Sequence, residues 1–135
     1  MRESIDLLRG WMTKAASDLH TAQRMLDSAG PYDTVCFHAQ QTIEKVLNGW
    51  LTFHEQIAPR THDLEELQGL CLTVQPLPGL ADLDLVTLSD YAVLGRYDFD
   101  FWPDRQTAVE AVAIAEQIYT LVADTLPVLN LSVPS

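Results

Sequence analysis

The sequence predicts an all-α fold, an antiparallel up-and-down bundle of four to five helices. Three observations carry that expectation. Apolar residues return at three- and four-residue steps along several stretches, the period of one helix face. Breaks rich in Gly, Pro and small polar residues separate those stretches. Strand-like alternation is missing, and nothing repeats at a fixed period.

The first segment runs from about Glu3 to Ala29. Leu8, Trp11, Met12, Ala15, Leu19, Ala22, Met25 and Leu26 mark its apolar face. Ser28-Ala29-Gly30-Pro31 closes it, because Gly takes a left-handed cap and Pro cannot continue the helix. A second segment starts near Tyr32 or Asp33 and reaches about His54. At 100° per residue, Val35, Ala39, Ile43, Val46, Leu47, Trp50 and Phe53 share one broad apolar arc. Opposite them runs a polar stripe of His38, Gln41, Lys45, Asn48 and Thr52, with Glu44 on its flank and Phe37 on the same side.

Ala58-Pro59-Arg60-Thr61 is a break, after which Thr61 or Asp63 is placed to cap a short helix from Leu64 to about Leu72. Gln75-Pro76-Leu77-Pro78-Gly79 reads as a loop. A fourth helix is expected from about Ala81 to Leu94, on Leu85, Leu88 and Tyr91-Ala92. The stretch Gly95 to Pro103 has no clean period. The last helix spans about Asp104 to Thr125, where Ala108, Ala111, Val112, Ala115, Ile118, Tyr119, Val122 and Leu126 make a stripe rich in alanine that lets a neighbour approach closely. This predicts one bundle domain over residues 1–126 and an extended or flexible C-terminal tail over 127–135.

Composition narrows function. With 135 residues and 47% hydrophobic content, the chain builds one domain of ordinary size with a real core. No run approaches the roughly 18 apolar residues of a membrane span. Met1-Arg2-Glu3-Ser4-Ile5-Asp6 places acids where a secretory signal needs an apolar stretch, which points to a cytoplasmic protein. Cys36 and Cys71 lack CxxC partners and read as small buried hydrophobes in a reducing compartment, with a disulfide as the alternative. The formal charge of −11, with eight scattered Lys and Arg, argues against a free-standing nucleic-acid binder. Such a protein needs clustered cations on the phosphates. Any nucleotide or RNA contact must be local, or supplied by a basic partner.

Chemistry-bearing motifs are few. His20, His38, His54 and His62 are spread over three segments without an HxxxH pair, so no metal site is expected and no cofactor is implied. P-loop, G-x-S-x-G and dinucleotide fingerprints are absent. Two constellations stand out. His38 to Lys45 gathers amides, Glu44 and Lys45 on one helix flank, where a solvated face is the plain alternative. Arg96-Tyr97 leads into the aromatic, acidic stretch to Trp102. There Arg offers a planar fork for phosphate or carboxylate, and the plain alternative is a loop pinned by aromatics with Arg96 paired to an acid.

At these residues the sequence resembles the HEPN family, the higher eukaryote and prokaryote nucleotide-binding domain. The matching stretches are Ala15-Ala16-Ser17-Asp18-Leu19, Tyr32-Asp33 through Gln41-x-x-Glu44-Lys45-x-Leu47, Thr61-His62-Asp63-Leu64-x-x-Leu67, and Tyr91-Ala92-Val93-x-x-Arg96-Tyr97. The resemblance implies a helical bundle, usually a homodimer with its cleft between protomers. Many members stand beside a minimal nucleotidyltransferase in toxin–antitoxin-like modules. Catalytic members are metal-independent ribonucleases using Arg, a spacer of four to six residues, then His. Here those His positions hold Phe101, Trp102 and Pro103, and no histidine follows His62. Arg96-Tyr97 looks like the Arg-Tyr-Pro branch of the family with Asp98 in place of the proline.

The expectation is therefore a nucleotide- or phosphate-binding partner protein of a nucleotidyltransferase, not an enzyme of the usual ribonuclease type. Arg96 is the expected anion contact. Gln41, Glu44, Lys45 and His62 are expected as polar or orienting groups, and Tyr97 as a stacking or hydroxyl contact. The alternatives are a divergent ribonuclease toxin that borrows His62 or His38, and a purely structural dimeric adaptor.

Overall fold

Residues 3–125 are described by the computed structural model. They form five α-helices: α1 (Ser4–Asp27), α2 (Tyr32–Phe53), α3 (Leu64–Val74), α4 (Val86–Tyr97) and α5 (Arg105–Thr125), with a 3-10 turn, Leu80–Asp82, before α4. No strand occurs among the described residues. The bundle is all-helical, as the periodicity predicts. The expectations for Leu126 and for the tail 127–135 lie outside the described residues.

α1 buries the apolar face read from its sequence, with Leu8, Met12, Ala15, Leu19 and Ala22 fully covered. It pairs along its length with α2, and the two run antiparallel. The two helices come close at Gly49, where a Cβ would stand 2.9 Å from Cβ of Trp11. The reversal between them is a Schellman turn: Gly30 N–H donates to Met25 O at 2.8 Å and Ala29 N–H to Leu26 O at 3.2 Å. Ala29 takes the left-handed position (φ 67°) ahead of Gly30 (φ 105°). α2 ends the same way, with Gln56 N–H on Leu51 O at 2.9 Å and Glu55 at φ 63°.

α2 is the hub. It packs against α1, α3, α4 and α5, and α1 also touches α5. The solvated face that stood as the plain alternative for its polar stripe is therefore not what forms. Glu44 and Asn48 are buried, as are the neighbouring Gln40 and Thr42. A helix with neighbours on every side has no fully solvated face, so its polar residues must find partners inside the protein.

α3 is capped by Asp63, whose carboxylate accepts from the backbone N–H of Glu65 (3.0 Å) and Glu66 (3.3 Å). The fourth helix departs from expectation at both ends. Residues 80–82 form the 3-10 turn and α4 begins only at Val86, after the Asp84 carboxylate accepts from Val86 N–H at 3.1 Å. α4 then runs through Gly95 and Arg96 to Tyr97, residues expected in the irregular stretch. The missing apolar period there has a physical cause: the last turn of α4 lies on α2 through a glycine and leaves its large side chains exposed. α5 is capped by Asp104, which accepts from Thr107 N–H at 2.9 Å.

Candidate functional site

Gly95 sets the position of Arg96. A Cβ at residue 95 would lie 2.9 Å from Cβ of Phe37 and 3.0 Å from Asp33 O, so the end of α4 meets the start of α2 at backbone distance. That approach lays the Arg96 guanidinium over two rings, with its central carbon 5.2 Å from the Phe37 centroid and 5.2 Å from that of Tyr97. Cation–π contact fixes the plane of the guanidinium without consuming its N–H donors. No ion pair or hydrogen bond holds that fork among the described residues. Pairing to one of the chain's many acids, the plain alternative, is therefore not what forms.

The segment after Arg96 is an ordered turn. Asp98 accepts from Asp100 N–H through its carboxylate at 2.9 Å and from Phe101 N–H through its carbonyl at 3.2 Å. Phe101 turns inward onto Tyr91, with ring centroids 5.4 Å apart. Phe99 and Trp102 turn outward and are 90% and 74% exposed, while the Trp102 indole N–H donates to Phe99 O at 2.9 Å.

The α2 residues divide between two networks. Toward α1, Asp18 receives His38 Nδ1 on one carboxylate oxygen at 2.8 Å and the Lys45 ammonium on the other. Burial pushes the Asp18 carboxyl up, but the hydrogen bonds and charges of His38 and Lys45 outweigh it and hold it below the usual carboxylate value. Toward α3 and α4, Glu44 accepts from His62 Nδ1 at 2.7 Å. The fully buried Gln40 donates to Glu44 at 3.3 Å and to His62 O at 3.1 Å. The Ser89 hydroxyl of α4 donates to the same carbonyl at 3.2 Å and accepts from Leu64 N–H at 2.9 Å. Gln41 joins this network by donating to Gln40 Oε1 at 2.7 Å.

Four of the residues singled out from the sequence are thus engaged with other side chains. Glu44 and His62 hold each other, Lys45 is neutralised by Asp18, and Gln41 reads Gln40. Arg96 and Tyr97 stand together with Phe37 at the end of α4. Sequence reasoning missed Asp18, Gln40, Ser89 and the part played by Phe37. A signal for Asp18 existed, since it sits among Ala15, Leu19 and Ala22 on the buried face of α1. A carboxylate there requires a cationic partner.

A small cleft bounded by His62, Asp63, Glu65, Val86, Ser89 and Asp90 adjoins the second network. A larger hollow lies along α5 at Pro78, Ala113, Leu121 and Thr125 and involves none of these residues. No group of three or more His, Cys, Asp or Glu residues is placed to hold a metal ion among the described residues. Cys36 and Cys71 are separate buried thiols, each pushed up to about 12 by burial.

The model of the HEPN domain matches residues 8–125, from the second turn of α1 to the end of α5, and takes in all six predicted site residues. The chain belongs to the HEPN family. No curated protein and no solved structure matches it. HEPN membership associates the chain with nucleotide- or RNA-related function at the level of the family. No helix among the described residues is long and apolar enough to cross a membrane.

Proposed function

We propose that this HEPN protein is a dimeric binding subunit that works with a nucleotidyltransferase partner in a toxin–antitoxin-like module. Arg96 is its contact for a nucleotide or phosphate. The observation that carries the reading is the Arg96 guanidinium, which lies across Phe37 and Tyr97 with its donors unengaged among the described residues. A planar fork held by its face presents its edge to a phosphate, and bidentate contact is the strong form of that recognition. Tyr97, 64% exposed, offers a ring for a base to stack on. Gln41, Glu44 and His62 serve as orienting groups that tie α2 to the start of α3 and to α4, and Lys45 ties α2 to α1.

Thermal melting with a panel of nucleoside mono-, di- and triphosphates tests this. A ligand at a hundred times its Kd adds about 2.7 kcal/mol to the folded state, a rise of several degrees. Arg96→Ala should abolish the rise while leaving the unliganded melting temperature within about 0.5 kcal/mol equivalent, because the side chain is exposed. Arg96→Lys should restore little, since an ammonium lacks the planar fork. A protein indifferent to the whole panel, and recovered alone when co-expressed with a neighbouring nucleotidyltransferase, defeats the proposal.

One observation favours a second reading, a divergent ribonuclease. His38 has a carboxylate behind its Nδ1, and Phe37 touches both its ring, at 5.2 Å, and Arg96. In that reading His38 Nε2 takes the 2′-hydroxyl proton as that oxygen bonds to the adjacent phosphorus, and Arg96 steadies the developing charge. The bond from phosphorus to the 5′-oxygen breaks, and that oxygen leaves with a proton from water, giving a 2′,3′-cyclic phosphate. Metal-free cleavage of RNA by the pure protein, lost in both His38→Gln and Arg96→Ala, would establish it. RNA surviving such incubation removes it.

A further inference from the structure

We propose that the outer face of α4 and the turn that follows it form a docking surface for an arginine- or lysine-rich segment of another protein. This surface adjoins the nucleotide site and shares Tyr97 with it, but it does not rest on the nucleotide reading of Arg96. Val86, Asp90, Val93 and Tyr97 recur at the spacing of one helix face, and all four are exposed. Val86 is 51% and Val93 is 56% exposed. Phe99 and Trp102 stand in the turn that follows the helix, and they are the most exposed aromatic rings among the described residues. Isolated exposed apolar residues need no explanation, but a run of five on one helix face and its turn is a patch.

The patch is built. Phe101 anchors the turn on Tyr91, and the Trp102 indole is held by Phe99 O, so the outward rings are presented in fixed positions. Trp and Tyr on such rigid supports are the residues that dominate binding energy at protein interfaces.

Charge selects the occupant. Asp98 and Asp100 alternate with the aromatic rings, Asp90 lies within the stripe, and none of the three has a cationic partner among the described residues. At the other end of the stripe, Val86 and Asp90 wall the small cleft together with Asp63 and Glu65. Carboxylates interleaved with exposed rings meet a guanidinium or ammonium on both of its terms. The charge pairs with the acid, and the cation packs on the aromatic face. The overall charge of −11 extends the same attraction to longer range and repels acidic partners.

A fluorescein-labelled peptide of alternating arginine and glycine tests the assignment against a glutamate–glycine peptide of equal length. The arginine peptide should bind and change Trp102 emission, identified as the signal absent from Trp102→Phe, and the glutamate peptide should not bind. Phe99→Ser with Trp102→Ser should weaken binding at least tenfold, and Asp98→Asn with Asp100→Asn should do the same. Glu55→Gln with Asp124→Asn, an equal change of charge at exposed positions off this stripe, should leave binding within twofold. Unchanged melting curves establish that the exposed substitutions spare the fold. Equal weakening by the loop pair and the off-stripe pair would reduce the effect to bulk charge and overturn the proposal. So would concentration-dependent burial of Trp102 without peptide, which would make a second copy of the chain the occupant.

Discussion

At the scale of single residues, two side chains give the fold separate responses to acid. Burial pulls His54 below its ordinary 6.5, where its ring lies against Trp50 and Phe53 at 4.6 and 5.1 Å. The folded state therefore resists protonating it, and its contribution is complete above 6.5 and lost as pH falls below that value. Asp18 is held below 3.8, so the stability it confers is present above 3.8 and disappears as pH falls through its lowered value. Denaturation followed from pH 8 to 2 should show two losses. His54→Phe should remove the one near neutrality, and Asp18→Asn should flatten the one below pH 4. Of this chemistry the sequence displayed the histidines and the acid but not their partners. His38 and Asp18 stand twenty positions apart, and the contact exists only because α1 and α2 cross where they do.

Elements follow from local rules where those rules act alone. The apolar arcs of α1 and α5 were legible because each buries a single face. α2 was legible as a helix but not as a hub, since periodicity reports where apolar residues lie and says nothing of polar residues that are also enclosed. The start of α4 was misplaced because Leu85 and Leu88 keep helical spacing and are both buried, although Leu85 stands outside the helix at its N-cap and residues 80–82 form a separate 3-10 turn. Its end was hidden in Gly95, whose value is a close approach to a distant segment. Gly95→Ala should force α4 away from Phe37 and the Asp33 carbonyl. Overpacking of this kind costs about 1–3 kcal/mol, measurable by chemical denaturation, and it should also abolish any melting shift that depends on Arg96. The Schellman turn after α1 offers the opposite case. Ala29 carries a side chain at φ 67°, so Ala29→Gly should raise stability. Relief of the strain and the added freedom of the unfolded chain oppose one another, leaving a net gain of about 0.5 kcal/mol, seen as a higher denaturant midpoint.

For the whole molecule, a single core joins all five helices, with members from each. Both thiols lie inside it and stay protonated at any ordinary pH. Ellman's reagent should accordingly find no reactive cysteine in the native protein and two after unfolding, with both appearing in one transition. Early reaction of Cys71 alone would instead reveal that α3 detaches before the rest. The acidic charge, read from composition as an argument against a free-standing nucleic-acid binder, takes a definite place here. Part of it is spent inward on His38, Lys45 and His62, and part is left outward along α4.

The resting place of Arg96 between Phe37 and Tyr97 has a further consequence. A long arginine side chain in water samples many rotamers, and a ligand that captures it must suppress them all at a cost of about 2 kcal/mol. Here the two rings have restricted that sampling before any ligand arrives. The ordering entropy belongs to folding and not to binding, so a weakly charged ligand with few contacts gains more affinity at this arginine than at a freely waving one.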